Sequence, residues 1–112
     1  MIEADAIGEI IKTYQKHGWI LRRVLLSAEL KKGLGKHIEP LFSGVKVIDS
    51  SIDAAWFSRP PRGGGVAWEA RHLGNFPLAL LEKADEKDPA FEKSLQDVEA
   101  RLGRLVAAKQ AA

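Results

Sequence analysis

The sequence predicts an α+β fold, a two-layer sandwich in which an antiparallel β-meander of about four strands packs against an N-terminal and a long C-terminal helix. Three observations lead there. Apolar residues recur at helical spacing at both ends of the chain. Between them lie β-branched and aromatic runs broken by glycine and proline. A meander needs its apolar face covered, and two amphipathic helices are available to cover it. The expected order is α-β-α-β-β-β-α in one domain, a size that suits 112 residues with a single core.

Ile7, Ile10, Ile11 and Tyr14 form the apolar stripe of a helix from Ala4 to His17. Acids open it, Lys16 and His17 close it where cations suit the dipole, and Gly18 can take the left-handed conformation that stops it. Trp19 to Ser27 then reads as a strand. Strict alternation puts Trp19, Leu21, Arg23 and Leu25 on one face and Ile20, Arg22, Val24 and Leu26 on the other. Each face carries one arginine, as expected of a central strand whose long stems cover apolar surface.

Ser27 can cap a short helix from Ala28 to Leu34, which Gly33 and Gly35 should end. Lys36 to Gly44 reads as a connector with a turn at Glu39-Pro40, and Val45 to Ile48 as a short strand or the lead-in to a longer one, followed by a turn or bulge at Asp49-Ser50-Ser51. Ile52 to Arg59 and Val66 to Leu73 pair as a hairpin across Pro60 to Gly65, a loop that two prolines and three glycines keep out of the ladder. Gly74-Asn75 marks a turn. Leu78 to Ala84 then returns as a strand with Pro77 before it, a helix starting near Asn75 being the alternative. Asp88-Pro89 starts the last helix, where Phe91, Leu95, Val98, Leu102, Leu105 and Val106 recur at three and four to about Ala108. Gly103 leaves room for close packing of another element.

Hydrophobic residues make up 46% and charged residues 29% of the chain, so neither a disordered nor a membrane class is favoured. A net charge of +2 gives no strong field toward nucleic acid, although the pI is about 9.0. The absence of cysteine removes disulfides, zinc-thiolate sites and cysteine nucleophiles together. The acidic N-terminus does not read as a signal peptide, and no apolar run approaches a membrane span. The expectation is a cytoplasmic protein without a membrane partner.

Asp53 is followed, one hairpin strand later, by Glu69-Ala70-Arg71. In topology and order this resembles the core of the PD-(D/E)xK nucleases, over roughly residues 5 to 73. The resemblance implies that Asp53 and Glu69 would hold Mg²⁺ and that Arg71 stands where the family has its lysine. Arginine cannot be deprotonated, no proline precedes Asp53, and residues 28 to 44 intrude between the first strand and the hairpin. A plainer reading is an acid and a base paired across a solvated sheet face.

Trp19, Trp56 and Trp68 lie in sequence near Arg22, Arg23, Arg59 and Arg62. Exposed, such a grouping would stack bases and track phosphates; buried, the rings would be core, with Trp56 and Trp68 in cross-strand contact. The sequence leaves both open. Arg59-Pro-Pro-Arg62-Gly-Gly-Gly reads as an anion-binding loop or as a plain hairpin tip, since the familiar phosphate loops join a strand to a helix. His17, His37 and His72 are scattered, so no metal site is expected, and no serine sits in a nucleophile elbow.

No spacing is specific for a catalytic, metal or cofactor site. The expectation is therefore a binding module that associates with itself or a protein partner, without a cofactor. The runner-up is a nucleic-acid-binding or degenerate nuclease domain, which alone would call for Mg²⁺. The first strand and the Leu78 to Leu81 run are apolar on both faces, which predicts a sheet face left for a second copy or another protein to cover.

Overall fold

Helix α1 (Ala4–Lys16) ends as its residues dictate. Gly18 takes φ +85°, its N–H donates to the Gln15 carbonyl, and the Trp19 N–H reaches back to the Tyr14 carbonyl. Trp19 packs edge-on to Tyr14, closing a Schellman stop with its usual apolar contact. The computed structural model describes residues 2–60 and 66–111. Most of the expected hairpin tip, with Arg62, lies outside the described residues.

Five strands form one sheet in the order β2-β1-β3-β4-β5: β1 (Ile20–Leu26), β2 (Lys46–Asp49), β3 (Ala54–Arg59), β4 (Val66–His72) and β5 (Ala79–Ala84). The meander expected from sequence holds for β3, β4 and β5, whose neighbours pair antiparallel. It fails at β2, which pairs parallel to β1 at the sheet edge, Val24 opposite Val47. The reason is the connector. The expected helix α2 (Ala28–Leu34) forms, and most of the residues after it that read as a plain connector fold as well, into a 3₁₀ turn at Gly35–His37 and α3 (Ile38–Phe42). Such a helical crossover returns the chain in the same direction. Pro40 lies in the first turn of α3, where a missing N–H breaks no helical bond. Ser27 caps α2 as expected, its Oγ accepting from the Leu30 N–H at 3.2 Å.

The alternation expected for β1 is also corrected. Opposite β3, Leu21 pairs with Phe57 and Arg23 with Trp56, so Arg22 is an extra residue in a β-bulge. Beyond it Val24 and Leu26 join Leu21 on one face, while both arginines turn to the other.

Helices cover the two faces separately, so the molecule has three layers rather than two. On one face Ile7 and Ile11 of α1, Leu30 and Leu34 of α2 and Phe42 of α3 bury Val24, Leu26, Ala55 and Phe57. On the other, Phe91, Leu95, Val98 and Leu102 of α4 (Phe91–Ala111) bury Leu25, Ala54, Trp56, Trp68 and Ala70. A central strand that is apolar on both sides requires a cover on both sides. Asp88 caps the turn before α4, its carboxylate accepting from the Ala90 N–H at 2.8 Å. Gly103 permits the close approach foreseen for it, since a methyl there would lie 3.2 Å from Ile52 Cγ2. No helix among the described residues is long and apolar enough to cross a membrane.

Candidate functional site

Asp53, Glu69 and Arg71 share the α1 side of the sheet by alternation, but the register separates the two acids. Glu69 lies opposite Phe57, four positions along β3 from Asp53, or about 13 Å along the strand. Each acid is engaged elsewhere. Asp53 accepts from the Ser27 backbone N–H at 2.6 Å and from the Ser27 hydroxyl at 3.2 Å, and so ties the start of β3 to the start of α2. Glu69 accepts the Tyr14 hydroxyl, while Arg71 donates to the His72 carbonyl. Two carboxylates so placed do not fit one Mg²⁺ ion, and among the described residues no group of three His, Asp or Glu side chains could hold a metal.

Tyr14 was not singled out by sequence as a partner of Glu69. Its ring stacks on Phe57 with centroids 4.1 Å apart. Burial raises the phenol pKa well above its usual value, and the hydrogen bond to Glu69 and that carboxylate's charge push it further up. The available signal was a tyrosine on the apolar stripe of α1, because a half-buried phenol needs an acceptor.

The arginines are likewise held within the molecule. On the α4 side, Arg22 grips both carboxylate oxygens of Glu86 at 3.0 and 3.1 Å and lies over the Trp68 ring. Arg23 grips Glu92 at 3.0 and 3.1 Å and lies over Phe91. The guanidinium hydrogen bond and charge hold the Glu92 pKa below its usual value. Arg59 covers Trp19 and donates to the His17 carbonyl. Trp19, Trp56 and Trp68 are 9%, 0% and 1% exposed, so all three are core and none offers a face to a base. Trp56 and Trp68 meet edge-on at 6.3 Å as diagonal neighbours, and Trp56 Nε1 donates to Glu99 at 2.7 Å. Burial raises the Glu99 pKa against the pull of that bond.

At one end of the sheet a cavity of about 290 Å³ is lined in part by Ser27, Asp53, His72, Gly74 and Asn75. His72 is buried and stacked on Phe76, with Nδ1 left without a hydrogen-bond partner. Burial lowers its pKa from 6.5, the Asp53 backbone opposing and the Arg71 charge assisting. A methyl at Gly74 would overlap the imidazole Nε2.

What remains open is a strip rather than a pocket. Along β5, Ala79, Leu81 and Lys83 are exposed on the α1 side while Leu80, Glu82 and Ala84 face α4 and are half-buried. Leu81, opposite Glu69, is 59% exposed, more than any other large apolar side chain among the described residues. Among the described residues no strand lies beyond the outer edge of β5. Compared with known proteins, the chain matches no family model, no curated protein and no solved structure.

Proposed function

We propose that this protein is a small cytoplasmic interaction module, one that assembles with a second copy of itself or with another protein through the exposed side and outer edge of β5. The observation that carries the reading is the exposed row Ala79, Leu81 and Lys83 on an edge strand with no further partner among the described residues, whereas the central residues of β1 and β3 are buried under helices on both faces. The polar residues considered for chemistry support it from the other direction. Asp53 serves a helix cap, Glu69 a tyrosine, and Arg22 and Arg23 bind acids of the same chain.

The test is light scattering on a size-exclusion column across a concentration series, with and without single- and double-stranded oligonucleotides at graded salt. A mass above that of the 12.3 kDa chain, rising with concentration and indifferent to oligonucleotides, is the expected result. A monomer that shifts with nucleic acid, and loses the shift as salt rises, would favour the nucleic-acid reading and make Mg²⁺-dependent cleavage the next assay.

A further inference from the structure

Resting on the interaction reading above, we infer that β5 pairs with β5 of a second copy of this chain, antiparallel about a two-fold axis through Leu81, so that two sheets become one. The backbone pattern supplies the first step. His72 N–H donates to the Leu78 carbonyl at 2.8 Å, and the β4–β5 register keeps alternate residues bonded inward from there. In an antiparallel ladder the intervening residues then turn their N–H and C=O groups outward. Those residues are Ala79, Leu81 and Lys83, the same ones whose side chains are bare.

Side-chain chemistry selects the register. Outward groups can pair about a two-fold centred on residue 80, 81 or 82. Centring on 82 sets Glu82 against Glu82 of the partner, a like-charge pair that destabilises a ladder. Centring on 80 sets Lys83 against Pro77, which has no N–H to give. Centring on 81 sets Leu81 against Leu81, Ala79 against Lys83 and Leu80 against Glu82, so that every outward group of the strand has a partner and no like charges oppose. It also covers the most exposed large apolar side chain among the described residues. The other edge suits this less, because β2 has only four residues and offers a shorter row of outward groups. A single strand pair is a small interface, so the dimer should exchange with monomer.

The chain has no cysteine, so introduced thiols report the register directly. Directly opposed residues lie about 5.5 Å apart between Cα atoms, within disulfide reach, whereas positions four residues off register lie about 13 Å apart. Under mild oxidation Leu81→Cys is expected to cross-link to itself. Ala79→Cys and Lys83→Cys should each fail alone and cross-link when mixed. Leu81→Lys, at an exposed position, should weaken self-association by about tenfold or more while leaving the thermal melt of the dilute monomer unchanged. A dimer by light scattering in which neither Leu81→Cys nor the Ala79→Cys and Lys83→Cys mixture cross-links would overturn this pairing and leave the interaction module standing. A monomer at every concentration, with no cross-link, would overturn the pairing together with self-assembly.

Discussion

Asp53 is the residue whose role changed most between sequence and structure. In sequence it is a candidate metal ligand; in the fold its two oxygens take the N–H and hydroxyl of Ser27 and join β3 to α2. Asp53→Ala should therefore lower stability by about 1–3 kcal/mol, read as a shift in the urea midpoint, because the Ser27 N–H is left without its acceptor. His72 carries a pH effect of defined sign. Its folded pKa is lowered from 6.5, so the unfolded chain binds the proton more readily, and the stability it contributes is present above 6.5 and lost as pH falls through the lowered value. Urea unfolding at about pH 7.5 and about pH 5.5 should show a drop that is smaller in His72→Gln, which cannot titrate. An equal drop in both proteins would place the acid sensitivity elsewhere.

Among the elements, α1, α2 and α4 were legible, α3 was not, and strand faces only partly so. The stop of α1 was readable because Gly18 supplies a left-handed residue that few others can, and Gly18→Ala should cost about 1–2 kcal/mol in thermal or urea unfolding. The stripe of α4 was readable because it repeats at three and four, and Leu95→Ala, at a fully buried position, should cost about 2–5 kcal/mol. The faces of β1 were not readable. A run of Leu21, Arg22, Arg23 and Val24 is compatible with strict alternation or with a bulge, and the choice is made by β3, which sets Phe57 and Trp56 against Leu21 and Arg23. Arg22 and Arg23 then reach Glu86 and Glu92, partners far away in sequence. Nothing local to the strand announces either acid.

For the whole molecule, the three buried tryptophans give a direct check on the layered core. Native emission should be blue-shifted and nearly insensitive to iodide, and unfolding should remove both properties; strong quenching in the folded state would mean that a ring is exposed. The sequence by itself determined the amphipathic end helices, the β3–β4 hairpin, the turn at Gly74-Asn75 and the cap at Ser27. These follow from residue periodicity, turn chemistry and backbone freedom within a few neighbouring residues. Only the tertiary structure decided the third layer, the parallel β2, the bulge at Arg22 and the separation of Asp53 from Glu69. Each depends on which strand lies beside which and in what register, and a shift of one residue in a strand exchanges the faces of all that follow it.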